Sequence, residues 1–584
     1  MSSGYRVAHN SGELGDMGDG VSDADWDQGA QSAGGVSRRA QLIVFGAAAL
    51  VILAAAVWGL SSVFGGRGPN LASQAAAPSS APAPTSPTPS PSPSPAFVDP
   101  AQAADVAIDF LRAWEANDYE AMQALAADQT DDVAGAYSGM AERLAITDVV
   151  VTPGTLDPVT SVLPYDVTVT LDGAGPASWS SAVTVTPQAR VAWSAATVYP
   201  GLLPGQWLDR VPVPSRGDIV DRSGASVSAD PDLTANLIGD VGPDGVGTSG
   251  LQRAYEDVLA GPPGTALAVT NPVTAEVITT IEQWPGAPVA PLVTTLDLRV
   301  QRAATAALAG AAGRAALVAV DTGSGDVLAI ANNPVEGLPA ALAGEYPPGS
   351  TFKIVTASAA LRAGFAPGSA VDCPASLSAG GRTFSNASSV VPGPTTLAGA
   401  FAVSCNTAFI EVGRQVGTPA LLAAGESFGF GFGPPLPVAS VSGSVPEPDS
   451  DVVAAADAIG QGTVTASPLH MASVAAAVAN GAWVQPHVVA CGECDSRSIS
   501  GAAGLRDMMR QVVTAGSGRA VAGVRGGPVH GKTGSAQVAG GGAHAWFVGW
   551  QGSVAFAVFV EFGGSGAESA APLAAAFLTE LAVG

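Results

Sequence analysis

The sequence predicts a multidomain α+β protein with a single transmembrane helix. Its 584 residues are too many for a single hydrophobic core, since one domain usually has about 100 to 200 residues. An uncharged apolar stretch at 40–64 is long enough to cross a bilayer. Near the C-terminus, short apolar strand patterns flank a long, Ala-rich helical region. This order predicts a five-stranded antiparallel sheet with an all-helical lobe inserted into it.

Charge and composition narrow the possible functions. The formal net charge of −25 argues against a nucleic-acid partner, because phosphates would be repelled. Four cysteines in a chain of this length exclude a scaffold built from disulfides. Of the 24 basic residues only Lys353 and Lys532 are lysines, and lysine, unlike arginine, can lose its proton in a protein. These two positions are therefore candidates for acid–base chemistry.

Three successive segments are predicted before the first folded domain. Residues 1–39 are polar and acidic without apolar periodicity, which predicts a disordered tail. Residues 40–64 follow an arginine pair, so we expect a membrane span with the tail in the cytoplasm and the rest outside. A buried helix and a cleaved signal peptide are the alternatives. Residues 65–97 are rich in Pro and Ser, which predicts an extended stalk, with an SH3-type ligand as the alternative.

Two folded parts without an evident catalytic set are predicted next. In residues 98–208, helical spacing over 101–127 predicts two helices, and alternating segments at 149–151, 165–171 and 182–186 predict antiparallel strands. Residues 209–290 contain an Arg-Gly-Asp triplet at 216–218, which invites a cell-adhesion role. Within the longer string 216–224 we expect structural charge pairs and turns instead.

The C-terminal part, 291–584, carries the sheet and the helical lobe. A helix is predicted from about 296, followed by a hairpin of residues 316–321 and 326–331. The region 341–525 is predicted to be mostly helical and loop-rich. Strands at 531–538, 546–550 and 554–560 and a helix at 567–581 complete the chain. We expect the active site between the sheet and the lobe.

One stretch in this part combines a potential nucleophile with a potential base. Ser350 and Lys353 are three residues apart at the start of an Ala-rich run, so a helix would place both on one face of its first turn. A serine hydroxyl is a weak nucleophile until a base takes its proton, and burial can make a lysine that base. The spacing S-x-x-K alone is weak, since a helix cap with an exposed lysine has the same pattern.

Two further motifs strengthen this hypothesis. Ser404-Cys405-Asn406 supplies S-x-N, and Lys532-Thr533-Gly534 supplies K-T-G directly before a strand-like segment. The ordered trio S-x-x-K, S-x-N and K-T-G is typical of penicillin-binding proteins and serine β-lactamases. The chain resembles a class B penicillin-binding protein, which implies a D,D-transpeptidase of peptidoglycan biosynthesis in the cell wall.

The resemblance also implies names for the folded parts. Residues 98–208 resemble the NTF2-like domain of MecA-type penicillin-binding proteins, a spacer or positioning module or a purely structural pedestal. That type is associated with low β-lactam affinity and antibiotic resistance. The segment 191–194 resembles the strand that closes the sheet of the NTF2-like domain. Residues 209–290 resemble the linker or dimerisation domain of the same proteins. Residues 291–584 resemble a transpeptidase domain with the serine β-lactamase-like fold.

Catalytic roles follow from the resemblance. Ser350 would attack the carbonyl of a D-Ala-D-Ala stem peptide and form an acyl-enzyme, with Lys353 taking its proton. Ser404 would relay a proton to the leaving amine, and Asn406 would hold the substrate backbone. A second amine would then take the acyl group and make the cross-link.

The resemblance implies substrate-binding roles for the K-T-G motif. Lys532 and Thr533 would bind the terminal carboxylate, and Gly534 would let its strand approach the ligand closely. The amides of Ser350 and Ser535 would bind the oxyanion. The implied partners are stem peptides ending in D-Ala-D-Ala, β-lactams, and a glycosyltransferase or a division or elongation protein. No cofactor or metal is expected.

Other members of the superfamily fit less well. A class A β-lactamase would need a glutamate in E-x-x-L-N, but the window at 439–444 lacks one and Glu447 lacks the Leu-Asn. A BlaR-type sensor would need the zinc-protease motif H-E-x-x-H, which the sequence lacks. A bifunctional class A penicillin-binding protein would need a glycosyltransferase-sized domain, which is not found in the sequence. A D,D-carboxypeptidase and a catalytically slow scaffold protein that recruits cell-wall partners stay open as alternatives.

Several motifs are expected to be decoys. Gly425-Glu426-Ser427-Phe428-Gly429 fits the nucleophile elbow G-x-S-x-G, but no strand precedes it, so we predict a helix end and loop. The five histidines lack metal-ligand spacing. His530 lies two residues before Lys532 and is a candidate for tuning the cleft. The segment 460–462 is expected to be structural.

The four cysteines form two candidate pairs. Cys491 and Cys494 fit zinc binding or redox chemistry, but a second metal pair is missing, so we prefer a local disulfide. Cys405 lies inside the S-x-N motif and Cys373 precedes it by 32 residues. We hypothesise that Cys373 and Cys405 pair and brace this motif.

Overall fold

In the computed structural model, residues 98–583 are described except 387–392, 434 and 540. The predicted tail (1–39), membrane span (40–64) and stalk (65–97) lie outside the described residues. Within the described part, no helix is both long enough and apolar enough to cross a membrane.

Three helices begin the described chain, and each starts after an aspartate. Helices α1 (Pro100–Glu115), α2 (Tyr119–Leu125) and α3 (Val133–Leu144) follow Asp99, Asp118 and Asp132, whose carboxylates accept a backbone N–H of the first turn. The first two helices are predicted by the sequence. The third is missed, because two glycines and a serine interrupt it and lower its helix propensity.

These helices pack on a three-stranded antiparallel sheet. Its strands are β1 (Ile146–Pro153), β2 (Val162–Leu171) and β3 (Gly175–Thr184), in that order. The segments predicted at 149–151 and 165–171 are confirmed, whereas the one at 182–186 covers only the end of β3. Alternate residues of β2 are buried, as the period of a strand requires. The expected closing strand at 191–194 is wrong: only Val191 of this segment forms bridges, to Ala126 and Val185. The NTF2-like assignment stays a prediction.

A second three-stranded sheet follows. It has the order β4-β6-β7, with β4 (Trp207–Arg216), β6 (Ala260–Asn271) and β7 (Glu276–Trp284), while β5 (Ile219–Val220) pairs in parallel with β8 (Leu292–Val293). The Arg216 guanidinium contacts the Glu256 carboxylate at 2.8 Å and donates to the Gly245 carbonyl at 2.7 Å. The Asp221 carboxylate accepts from the Ser223 and Ala225 amides and closes a turn. The expected charge pairs and turns are therefore present.

The C-terminal part contains the predicted five-stranded antiparallel sheet. Its order is β10-β9-β19-β18-β17, with β9 (Ala315–Asp321), β10 (Val327–Asn333), β17 (Val529–Gln537), β18 (Ala543–Gln551) and β19 (Val554–Val560). Both faces are covered. Alternate residues of β9 join two different cores, one against α8 (Leu298–Leu308) and α17 (Ala571–Val583), the other against the helical lobe. Because both faces of the sheet are buried, its strands are almost continuously apolar.

The helical lobe is inserted between β10 and β17. Its central helix is α15 (Pro468–Asn480), which is buried almost throughout and packs on β19. The lobe also contains three two-stranded sheets, which are not predicted because each strand has only three or four residues. The other α-helices are α4 (Ala195–Val198), α5 (Pro231–Leu233), α6 (Gly250–Ala254), α7 (Glu256–Leu259), α9 (Ala340–Ala343), α10 (Lys353–Arg362), α11 (Leu397–Ala402), α12 (Asn406–Val416), α13 (Thr418–Ser427), α14 (Asp451–Asp457) and α16 (Ala502–Ala515).

Short strands and irregular turns complete the description. The paired strands of the lobe are β11 (Ala370–Cys373) with β14 (Gly393–Thr396), β12 (Ser376–Ala379) with β13 (Arg382–Ser385), and β15 (Ala482–Val484) with β16 (Ser496–Ser498). Single 3-10 turns cover Gly349–Phe352 and Arg519–Val521, and π-helical turns cover Thr234–Ile238 and Gly566–Ala570.

Candidate active site

Ser350 lies in a 3-10 turn directly before α10. The predicted placement of Ser350 and Lys353 in the first turn of one α-helix is therefore corrected, since only Lys353 begins the α-helix. In a 3-10 turn, side chains three residues apart eclipse each other. Lys353 Nζ accordingly lies 2.9 Å from Ser350 Oγ. The S-x-x-K spacing thus brings the two groups together through the tighter turn.

Gly349 allows this turn to press against β17. Its φ of +53° is in the left-handed region, and a β-carbon there would lie 2.8 Å from the Ser535 carbonyl oxygen. The Gly349 amide donates to the Gly460 carbonyl at 2.8 Å. The segment 460–462 therefore supports the serine turn, in line with the structural role expected for it.

Lys353 is fully buried among oxygen atoms. Its Nζ lies 2.8 Å from the Ser404 carbonyl oxygen and 2.7 Å from Asn406 Oδ1, besides Ser350 Oγ. Burial, and then the nearby charge of Lys532, hold the pKa of Lys353 well below its usual range. The amine is thereby shifted toward its neutral, basic form.

The acceptors around Lys353 orient its lone pair. A neutral amine has two N–H donors and one lone pair, whereas a carbonyl oxygen can only accept. The Ser404 carbonyl and Asn406 Oδ1 therefore take the two N–H bonds. The remaining lone pair points at the Ser350 hydroxyl, which can donate its proton. The site is arranged for proton transfer from Ser350 to Lys353.

The S-x-N motif forms the junction between α11 and α12. Ser404 has a φ of +60°, which is unusual for a residue with a side chain and is found at functional sites. This conformation turns both its carbonyl and its hydroxyl toward the lysines: Ser404 Oγ lies 2.8 Å from Lys532 Nζ and 3.4 Å from Lys353 Nζ. Ser404 therefore connects the two lysines.

A disulfide fixes this junction. Cys405 bonds to Cys373, and both sulfur-bearing side chains are buried. Cys373 ends β11, so the bond ties the middle residue of the S-x-N motif to the small β11–β14 sheet. The structure contains the pairing that the sequence analysis hypothesised.

The K-T-G motif lies on the edge strand β17. Lys532 is fully buried, and its Nζ donates to Ser404 Oγ and, at 2.8 Å, to the Thr533 carbonyl. Burial lowers the pKa of Lys532 to about 7. Thr533 Oγ1 lies 2.5 Å from Ser517 Oγ, and both residues line the cleft.

Gly534 packs closely against the turn that carries Ser350. A β-carbon there would lie 2.8 Å from Thr351 Cγ2 and 2.9 Å from the Pro348 carbonyl oxygen. The glycine therefore gives room to the chain's own serine turn, and the close approach of its strand to a ligand stays a prediction. The next residue, Ser535, lines the cleft and its Oγ accepts from the Gly566 amide at 3.1 Å.

The motifs meet in a cleft of about 560 Å³ between β17 and the helical lobe. Ser350, Ser404, Asn406, Thr533, Gly534 and Ser535 line it, with the lysines buried beneath. Among the described residues of its lining, none is Asp or Glu, and Arg382 is the one charged side chain. The cleft therefore favours an anionic ligand.

Asn386 is a supporting residue that the sequence analysis missed. Its Oδ1 accepts from the Asn406 amide at 2.8 Å and from the Thr407 amide at 3.2 Å, and its Nδ2 donates to the Pro374 carbonyl at 3.0 Å. It thereby holds the start of α12, where Asn406 lies. No local pattern signals this role, because Asn386 is 20 residues away in sequence.

Two other candidates do not belong to the cleft. The nucleophile-elbow motif is the end of α13, where Ser427 Oγ donates to the Ala424 carbonyl, so the predicted helix end and loop is confirmed. His530 stacks on Trp550 with ring centroids 4.5 Å apart and is not among the residues that line the cleft. Tuning of the cleft by direct contact with His530 is therefore not supported.

The second cysteine pair lies elsewhere in the lobe. Cys491 and Cys494 form a disulfide, as the sequence analysis preferred. His487 lies beside them, and the potential ligand atoms of the three residues are within 4.8 Å of one another. Because the two sulfurs are bonded to each other, they are not available as thiolate ligands in this state.

Comparison with known proteins identifies relatives of the C-terminal part. Residues 315–579 match the family described as "Penicillin binding protein transpeptidase domain". The chain is 34% identical over 270 residues to the peptidoglycan D,D-transpeptidase PbpA of Mycolicibacterium smegmatis, covering 40% of this chain and 54% of that protein. It is 28% identical over 388 residues to the peptidoglycan D,D-transpeptidase MrdA of Acinetobacter baumannii, covering 55% and 54%. The matches thus span about half the length of these relatives.

Solved structures are similar over a larger share of their own chains. The D,D-transpeptidase domain of a peptidoglycan glycosyltransferase from Eggerthella lenta is 27% identical with a TM-score of 0.53, covering 63% of this chain and 98% of that one. Penicillin-binding protein 3 of Mycobacterium tuberculosis, complexed with aztreonam, is 26% identical with a TM-score of 0.52, covering 63% and 96%.

Proposed function

We propose that this chain, which carries the transpeptidase domain of a class B penicillin-binding protein, is a peptidoglycan D,D-transpeptidase that works through a serine acyl-enzyme. The observation that carries the proposal is the orientation of Lys353. Two acceptor-only oxygens take its N–H bonds and leave its lone pair for the hydroxyl of Ser350. Such an arrangement activates a serine without a histidine.

The first half-reaction is an acyl transfer to Ser350. Its oxygen attacks the carbonyl between the two terminal D-alanines of a stem peptide while Lys353 takes the hydroxyl proton. The amides of Ser350 and Ser535, on adjacent segments at the cleft, are proposed to bind the oxyanion. The C–N bond then breaks, and the proton reaches the leaving amine by way of Ser404, which contacts both lysines.

Substrate binding is proposed to use the charge of Lys532. An ammonium at that position, with the hydroxyl of Thr533, pairs with the terminal carboxylate of the stem peptide. Asn406 is proposed to hold the substrate backbone once the substrate enters. In the second half-reaction an amine of a neighbouring stem attacks the ester and restores Ser350, which completes the cross-link.

β-Lactams are proposed to stop the enzyme at the acyl stage. Their strained amide opens by the same first step and leaves an ester on Ser350. No carboxylate lines the described part of the cleft, so the described lining lacks a glutamate of the kind that activates the deacylating water in a class A β-lactamase. We therefore expect a long-lived penicilloyl-enzyme.

The other parts of the chain are proposed to place this domain. The uncharged stretch 40–64 would anchor it in the cell membrane as a single pass, with the N-terminus in the cytoplasm, and 65–97 would act as a stalk. The domain at 98–208 is proposed to be an NTF2-like spacer and the one at 209–290 a linker. A glycosyltransferase or a division or elongation protein is the proposed partner, and a role in β-lactam resistance depends on the NTF2-like assignment.

Labelling of the full-length protein with a fluorescent penicillin tests the proposal. We expect covalent labelling of wild type that is lost in Ser350→Ala and Lys353→Ala. Turnover of a D-Ala-D-Ala thioester by a protein that resists labelling would indicate an active site with low penicillin affinity. If neither reagent acylates Ser350, the enzymatic function is refuted and the scaffold alternative replaces it.

The products distinguish a transpeptidase from a carboxypeptidase. With the thioester and an added D-amino acid as acceptor, a transpeptidase forms the new amide, whereas a carboxypeptidase releases only the free acid. Exclusive hydrolysis at high acceptor concentration would favour the carboxypeptidase.

A further inference from the structure

A cluster of sulfur, imidazole and carboxylate groups lies outside the cleft. It is formed by the loop 485–495 between β15 and β16, which carries His487 and the Cys491–Cys494 disulfide, together with Asp326 from the β9–β10 turn. None of these residues lines the cleft. The cluster therefore has no part in the proposed acyl transfer, and its own chemistry is independent of that function.

The two cysteines of this disulfide differ in exposure. Cys491 is exposed, whereas Cys494 is only partly exposed. By contrast, both cysteines of the other disulfide are buried, Cys373 at 0% and Cys405 at 2% exposure. A thiolate must reach the sulfur that it attacks, so Cys491 is the accessible target.

His487 is placed to assist the departure of the other sulfur. Its Nε2 lies 2.8 Å from Asp326 Oδ1, while its Nδ1 lies 3.2 Å from Cys494 Sγ and 3.1 Å from the Gln485 carbonyl oxygen. With its Nε2–H donated to Asp326, the ring carries a hydrogen on Nδ1 in its doubly protonated form, and that hydrogen faces both Cys494 Sγ and the Gln485 carbonyl oxygen. A thiolate released at Cys494 would accept that hydrogen bond, which makes it a better leaving group.

The backbone of His487 is fixed independently of the disulfide. Its carbonyl accepts from the Val327 amide at 2.8 Å and from Thr295 Oγ1 at 3.1 Å, and its amide donates to the Gly325 carbonyl at 3.2 Å. The imidazole is therefore held in position by the β9–β10 turn, whether or not the cysteines are bonded.

We propose that Cys491–Cys494 is a thiol–disulfide exchange site for a dithiol reductant, with attack at Cys491 and departure of Cys494. The attacking thiolate forms a mixed disulfide with Cys491 and breaks the bond to Cys494, whose sulfur leaves as a thiolate stabilised by His487. The second thiol of the reductant then attacks the mixed disulfide and frees Cys491. In total the protein gains two electrons and two protons, and the dithiol becomes a disulfide.

Timed reduction of the oxidised full-length protein with dithiothreitol is the first test. Free thiols are alkylated at intervals and located by peptide mass spectrometry. We expect Cys491 and Cys494 to become alkylated at least about tenfold faster than Cys373 and Cys405, which serve as the buried reference in the same molecule. Equal rates, or faster reduction of the buried pair, would overturn the proposal.

The direction of attack is tested with glutathione on the unmutated protein. Acid quenching after brief exposure should trap glutathione on Cys491, and an adduct mainly on Cys494 would contradict the assigned leaving group. The variants His487→Ala and Asp326→Asn should each slow reduction of the Cys491–Cys494 disulfide severalfold, up to about tenfold, because the thiolate loses its stabilising group. Continued resistance of Cys373–Cys405 shows that a variant is folded. Unchanged reduction in such folded variants would refute the role of His487.

Discussion

The two lysines of the cleft have the same burial but opposite proposed tasks. Lys353 and Lys532 are both 0% exposed, and burial lowers the pKa of each. Lys353 is surrounded by the Ser350 hydroxyl and two oxygens that only accept, and the charge of Lys532 lowers its pKa further. Lys532 Nζ donates to the Ser404 hydroxyl oxygen and to the carbonyl of Thr533, a residue that lines the cleft.

This difference shows that neighbours decide the role of a buried lysine. In the proposed reaction Lys353 must be neutral to accept a proton, whereas Lys532 must be charged to bind a carboxylate. A charge on Lys532 disfavours a charge on Lys353, since like charges repel at short range. The two tasks therefore support each other within one cleft.

Matched arginine substitutions should separate the two tasks most strongly. Lys353→Arg keeps a positive charge that cannot be removed, so we expect acylation by a fluorescent penicillin to fall by about 10²- to 10⁴-fold, the usual contribution of a general base. Lys532→Arg keeps the charge that its task requires, and a loss of about tenfold or less is expected from the altered geometry. Second-order acylation rates measure both. Equal losses in the two variants would contradict the division of roles.

The pH dependence of acylation should show the same division. Lys532 loses its charge as the pH rises through about 7, so capture of a carboxylate-bearing β-lactam should fall above that pH, by at most about tenfold per pH unit. Lys353 acts in the opposite sense, because it must lose its proton, and acylation should rise with pH on the acid side. The second-order rate constant across the pH range measures both limbs. An arginine at 532 stays charged, so Lys532→Arg should lack the alkaline limb; its persistence would assign that limb to another group.

Removing the disulfide beside Ser404 should weaken the structure that holds both lysines. The double variant Cys373→Ser with Cys405→Ser is expected to lose about 2 to 4 kcal/mol of unfolding free energy, the usual contribution of a disulfide. Denaturant unfolding measures the loss, and acylation rates at low denaturant show whether Ser404 is still held. As a control, Cys491→Ser with Cys494→Ser removes a disulfide that closes only a loop of sequence separation 3, away from the cleft, and should leave acylation unchanged.

The smallest effect is expected from Asn386→Ala. The Asn406 and Thr407 amides would lose their shared acceptor, which costs about 1 kcal/mol as for other helix caps. Because α12 starts at Asn406, acylation should slow by a few fold at most. A substitution without any effect on stability or rate would show that solvent replaces Asn386 at this cap.

Local signals predicted the elements whose sequence pattern is unambiguous. The strands of the five-stranded sheet are apolar runs bounded by turn residues, and the first two helices carry apolar residues at helical spacing. The third helix was missed because glycines dilute its pattern, and the strand at 191–194 was wrong because a short apolar segment also fits an isolated bridge. Short strands within the lobe depend on their partners and lack a signal of their own.

The sequence by itself determined the chemistry of the site. The ordered trio of motifs, through its resemblance to penicillin-binding proteins, identified Ser350, Lys353, Ser404, Asn406 and Lys532, and the structure brings all five together. The sequence also singled out both cysteine pairs, which the structure contains as disulfides.

Only the tertiary structure decided how these groups are oriented. The left-handed backbone at Ser404, the packing of Gly534 against the serine turn, the support from Asn386 and the position of His487 beside Cys494 all join segments distant in sequence. Spacing along the chain specifies which groups are available, but hydrogen-bond direction and burial arise from contacts between elements. Those contacts set the pKa of each lysine, and with it the task that each can perform.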